Sequence, residues 1–195
     1  MMLDGLENYL TAVEDGLRQL DRWKLIRSLR PGASPSQVLE RFRSAGTDVP
    51  IEALELFSWH DGTETRGTSI GEIALIPGFY LLSSTDSTEN YRAFVSDERW
   101  RPSWIPFLAD GGGDFYVLDS EGRDRVAPIR RFRIEEQEHP VEFGSLKDFF
   151  ETISVAFQRG VFFVDESGFL EMDDFAFAEL ARQINPGIPW WSEPV

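Results

Sequence analysis

The stretch Trp104-Ile105-Pro106-Phe107-Leu108-Ala109-Asp110-Gly111-Gly112-Gly113-Asp114-Phe115-Tyr116-Val117-Leu118-Asp119 limits the folds open to this chain more than any other. Two short apolar runs flank a connection that is nearly all glycine. Glycine reaches positive φ without a Cβ clash, so Asp110–Asp114 reads as the tight turn of a β-hairpin. The predicted strands are Trp104–Leu108 and Phe115–Leu118. Pro106 has no N–H to give to a ladder, which places the first strand at a sheet edge or at a strand start. The stretch reads as a central hairpin carrying aromatic and aliphatic side chains on both faces.

Around this hairpin the chain mixes helices and short strands without regular βαβ alternation, so the fold class is α+β. Leu3, Leu6, Leu10, Val13, Leu17 and Leu20 fall on one helical stripe, and the spacing predicts a single amphipathic helix over 3–29, ended by Pro31-Gly32. Ser34-Pro35-Ser36-Gln37 is a capping signature for a second helix, with Val38, Leu39 and Phe42 inward and Gly46 as its stop. A third helix runs from Pro50 to Trp59, and 61–72 reads as a surface loop. Ile73–Ile76 and Phe79–Leu82 read as strand-like, and Asp86-Ser87-Thr88-Glu89 as the cap of a helix through Tyr91, Phe94 and Val95. After the hairpin, Val126–Ile129 is expected to add a third antiparallel strand, and Arg130–Ile134 an edge strand. Leu146, Phe149, Phe150, Ile153 and Phe157 form a strongly amphipathic helix behind Ser145. A hairpin turning at Asp165–Gly168 and a last helix, Phe175–Ile184, complete the pattern. The 195 residues read as one domain with a Trp-containing tail over 186–195.

Composition narrows the function classes. With 42% hydrophobic and 13% aromatic residues the chain is not disordered. No apolar run approaches the ~18 residues that span a bilayer, so no membrane association is expected. The acidic opening, Met1–Glu7, lacks an apolar core, so no secretory signal is expected. The absence of cysteine removes thiolate catalysis and disulfides and suits a cytoplasmic location. The net charge of −15 repels nucleic acid and anionic lipid and favours basic partners. It is concentrated late in the chain: residues 135–195 hold 13 acids and 3 bases, a net of −10.

Chemistry-bearing patterns are sparse. His60 reads as structural and His139 as a surface residue, and neither lies in a nucleophile-elbow setting. Gly111–Gly113 has the backbone freedom to cradle an anion, but Asp110 and Asp114 flank it and no Gly-Lys-Ser/Thr follows. Asp110, Asp114 and Asp119 do not have the spacing of an EF-hand loop. Turn chemistry is the simpler reading of all three. No metal, cofactor or catalytic constellation is expected. Trp59, Trp100, Trp104, Trp190 and Trp191 are too many for every indole to be fully buried, which makes them a lead toward binding beside the simpler reading of core and terminal packing.

Two stretches carry a family resemblance. Val49-Pro50-Ile51-Glu52-Ala53-Leu54-Glu55-Leu56-Phe57-Ser58-Trp59-His60-Asp61-Gly62 resembles the proline, helix, W-H-[ND]-G segment of the SUKH superfamily. Trp104–Asp119 is similar to its W-x-P-hydrophobic-D-x-x-G-D hairpin. The resemblance covers about 35–185 and leaves the N-terminal helix outside. It implies a twisted, largely antiparallel sheet packed against several helices, and a non-enzymatic protein that acts by binding. The implied role is immunity: neutralising a co-encoded bacterial toxin, a basic nuclease-type domain suiting the acidic charge. The alternative is a non-catalytic scaffold or regulator of the cell-wall-assembly type. The expected contact surface lies beside the hairpin and the acidic loops, with Asp61, Glu64, Asp110 and Asp114 as its acids and Trp104 as an aromatic anchor.

Overall fold

The computed structural model describes residues 5–122 and 125–192. It is an α+β fold centred on a five-stranded antiparallel sheet. Its strands are β3 (Tyr80–Leu81), β4 (Trp104–Ala109), β5 (Phe115–Asp119), β6 (Ile129–Phe132) and β7 (Val141–Phe143), neighbours in that order. β5 alternates between two cores: Tyr116 and Leu118 face the larger one, Phe115 and Val117 the smaller. Because strand side chains alternate faces, four successive buried residues mean a sheet covered on both sides.

The larger core is closed by α1 (Leu6–Gln19) packed on α7 (Leu146–Gln158). Gly16 makes this approach possible, since a Cβ there would sit 2.5 Å from Cβ of Phe157. Phe149, fully buried on α7, meets Phe107, Tyr116, Phe143 and Phe150 at centroid distances of 5.0–5.6 Å. Burying such a side chain contributes about 1.5–3 kcal/mol. The smaller core holds Trp100, Trp104, Phe115, Val117 and Phe132.

The single helix expected over 3–29 is two helices, with Leu3 outside the described residues. α1 ends at Gln19 and α2 spans Trp23–Ser28. Asp21 between them takes φ 55, and the buried Arg22 turns inward to donate to the carbonyls of Gly71 (2.8 Å) and Gly168 (2.9 Å). Those partners are far away in the chain, so helix periodicity alone gives no sign of the break. Then β1 (Leu29–Pro31) pairs with β2 (His60–Thr63), which takes up the start of the segment read as a loop.

α3 (Pro35–Ala45) has the expected capping box at Ser34 and Gln37, and Gly46 ends it at φ 81. Leu39, however, is exposed. α4 (Ile51–Trp59) follows Pro50. Ile70–Ile73, expected in part as strand, is a single helical turn, α5, capped by Ser69. α6 (Ser84–Phe94) is capped by Ser83, whose hydroxyl accepts from the Asp86 N–H, so it starts before the predicted Asp86 cap.

β4 is an inner strand, not an edge. Pro106 fits because the ladder bulges between Pro106 and Leu108, and the Pro106 carbonyl accepts from the Ser87 hydroxyl at 2.5 Å. Val126 is exposed, β6 alone fills the place given to two strands, and β7 is the edge strand beside it. The late elements follow expectation. β8 (Phe162–Val164) and β9 (Leu170–Met172) form a hairpin, followed by α8 (Asp174–Ile184) and a 3-10 turn, Pro189–Trp191.

Candidate functional site

The two signature stretches spend their polar groups inward. At the hairpin turn, Asp110 Oδ1 accepts from the N–H groups of Gly112 (2.7 Å), Gly113 (3.0 Å) and Asp114 (3.0 Å). The glycine nest that would hold an anion is thus filled by the chain's own carboxylate. Gly111 and Gly113 need positive φ, 78 and 113, to point these donors at Asp110. Asp114 accepts from the Ile134 N–H at 3.0 Å, with Arg131 at 3.7 Å.

In the first stretch, Asp61 accepts from the Ser84 N–H at 2.7 Å and pairs with Arg41 at 2.9 Å. It therefore sits at the N-terminus of α6, where a carboxylate is stabilised by the helix dipole. Trp59 and His60 both meet Glu14 of α1, at 2.7 and 3.1 Å, which confirms a structural setting for His60. Burial raises the Glu14 carboxyl, but the hydrogen bonds from Trp59 and His60 prevail and its pKa is lowered. Glu52 is buried and accepts from the N–H groups of Ala127 (2.6 Å) and Leu146 (3.0 Å). Burial, only partly opposed by those two bonds, pushes its pKa up to about 7.

Of the five residues expected at the interface, Trp104 lies at the far end of the hairpin from Asp110 and Asp114. Asp61 is a helix-terminus ligand, and Glu64 is exposed beside Arg30 (3.2 Å) and the Arg66 N–H. Asp110 and Asp114 serve the turn. Trp104 lies at the opposite end of β4 and is only 3% exposed, so it is a core group rather than an exposed anchor. His139, expected at the surface, is also buried, with its ring 4.6 Å from Phe132 and 5.6 Å from Trp104. Burial, aided by nearby Arg133 and Arg99 against Glu136, lowers its pKa.

At that opposite end of the hairpin lies an open groove of about 1770 Å3. Trp104 and His139 lie along it, with 97–99, Arg101 and 136–140 on one side. Phe175, Ala178, Glu179 and Arg182 of α8 line the other, together with Trp190. These α8 positions form one stripe, while Phe177, Leu180 and Ala181 on the helix's other face are buried. Trp191 fixes this wall: its indole donates to the Glu142 carbonyl at 2.5 Å, and its ring packs on Phe177 and Phe143. The exposed part of the groove is aromatic and charged, with Phe175 72% and Trp190 42% exposed. Among the described residues, no group of three or more His, Asp and Glu side chains is arranged to hold a metal ion, and no helix is long and apolar enough to cross a membrane.

The architecture and both signature stretches agree with a family model, SMI1/KNR4 (SUKH-1), that matches residues 32–152. The chain belongs to the SMI1/KNR4 (SUKH-1) family. This family covers toxin-immunity proteins and cell-wall regulators, is generally non-catalytic, and generally works by binding partner proteins. Comparison with curated proteins gave no match. Within the SUKH-1 stretch lie β2–β7, both signature segments and one side of the groove. α1, α8 and the 3-10 turn lie outside it. Phe175 was legible in sequence only as part of a helix, whereas Trp190 was among the tryptophans that pointed toward binding. The signal available was Phe175, an aromatic placed off the buried stripe of its own helix.

Proposed function

We propose that this SUKH-1 protein is a cytoplasmic immunity protein, without enzymatic activity, that binds and neutralises a basic toxin domain encoded beside it. Family membership is the observation that carries the reading. The charge supports it: at −15 the chain attracts a basic partner over long range and repels nucleic acid.

Co-expression tests this role. Cells producing the neighbouring toxin domain are expected to survive when this protein is present and to die without it. Equal killing with and without it contradicts the role. Binding should weaken as salt rises, because steering between exposed charges is screened.

A further inference from the structure

The groove has two walls of different origin. One, 97–99 and Arg101 with 136–140, belongs to the matched family stretch; the other, α8 with the 3-10 turn, lies beyond it. We propose that this groove docks a cationic segment of the toxin that also carries a large apolar side chain. Phe175 and Trp190 receive the apolar group, and Glu98 and Glu138 flank it. The inference rests on the binding role proposed above and gives that role a surface.

The apolar half of the argument is exposure without a packing reason. α8 completes its core contacts through Phe177, Leu180 and Ala181, yet it presents Phe175 at 72% exposure, the largest value among the exposed large hydrophobic side chains. Trp190 lies on the same groove, its ring 5.1 Å from the Arg133 guanidinium and its neighbour Trp191 tied to Glu142. Aromatic groups held in place before binding lose little freedom on binding, which is the character of interface anchors.

The charge half is a surplus of carboxylate. The groove's arginines are mostly engaged: Arg99 with Asp97 at 2.8 Å, Arg130 with Asp119 at 2.9 Å, and Arg182 with Glu179. Arg101 lies over the Trp104 ring. Glu98 and Glu138 are exposed on the groove and have no ion-pair partner among the described residues. An incoming Lys or Arg meets these carboxylates, whereas an anionic segment or a second copy of this acidic chain meets repulsion. The α8 wall, outside the family stretch, then supplies the contacts particular to this chain's partner.

The test uses the toxin domain encoded beside this gene, with its catalytic residue inactivated, and titration calorimetry against the full-length protein. Two double variants are compared with the native chain, F175A/W190A and E98K/E138K, each checked by circular dichroism for an unchanged melting curve. All four side chains lie on the groove's exposed surface, so both variants should fold. Each is expected to weaken binding by at least about tenfold. The loss in E98K/E138K should shrink as sodium chloride is raised. Native affinity in either double variant overturns the groove assignment and leaves the binding role standing. No binding by the native protein overturns the role itself, and the assignment with it.

Discussion

The two ends of the β4–β5 hairpin use similar residues to opposite ends. At the turn, Asp110 gathers three backbone N–H groups and Asp114 a fourth, so carboxylates that look like a site are internal caps. At the other end Trp104 and His139 are buried beneath a groove whose outer residues, Phe175, Trp190, Glu98 and Glu138, have few internal roles. The lesson is that a recognisable motif marks where the backbone needs particular residues. A binding surface is marked by residues whose chemistry the fold leaves unused. Glu52 extends the contrast to the first signature stretch, because it is buried solely to tie α4 to the segment before β6 and to the start of α7.

If this contrast holds, damage to the signature stretches shows as lost stability, and damage to the groove as lost binding. The largest effect is expected at Glu52. Glu52→Ala strands two buried N–H groups and should cost about 3–5 kcal/mol in urea unfolding. Asp110→Ala removes the acceptor of three turn donors that are partly solvent-accessible, and should cost about 2–3 kcal/mol by the same measurement. A value near zero at either position would mean that the motif carboxylates are not caps.

Gly113→Ala comes next. It adds a Cβ at φ 113 and 2.8 Å from Cδ1 of Ile134, a side-chain tip able to yield, so about 1–2 kcal/mol is expected. Phe175→Ala, on the other side of the comparison, should change stability by less than about 0.5 kcal/mol because the ring is already in solvent. A large loss there would move Phe175 into the core account.

Glu52 also sharpens the contrast through pH. Its folded pKa of about 7 lies above the 4.5 of an unperturbed glutamate. The folded state therefore holds this proton more tightly than the unfolded chain does. The group's contribution to stability is full below pH 4.5 and falls as pH rises through about 7. Urea unfolding of the native chain and of Glu52→Gln at pH 5 and pH 8 isolates the group. Relative to the variant, the native chain should lose stability at the higher pH. An unchanged difference would place the carboxyl in a more hydrated setting.

Much of the fold is legible in the chain because it is set locally. The Ser34–Gln37 box, the stops at Gly46 and Gly160, the Asp165–Gly168 turn and the stripes of α7 and α8 depend on neighbours a few residues away. The departures are long-range. Arg22 breaks the first helix to reach Gly71 and Gly168, and β3 pairs outside β4 so that Pro106 ends up in an inner strand. His139 is buried because Trp104 and Phe132 cover it. The groove was the least legible part. Asp61, Asp110 and Asp114 looked available because their partners are backbone N–H groups, which side-chain patterns do not display. The exposure of Phe175 depends on how α8 is rolled against α7.

Protection from the toxin is the most direct test of the claim that the groove, and not an acidic rim made of Asp61, Glu64, Asp110 and Asp114, does the binding. Cells carrying the neighbouring toxin domain would be scored for survival with the native protein, with F175A/W190A and with E64Q/D114N, at matched protein levels. The account predicts survival with the native chain and the rim variant, and death with the groove variant. Survival with the groove variant, or death with the rim variant, would contradict it.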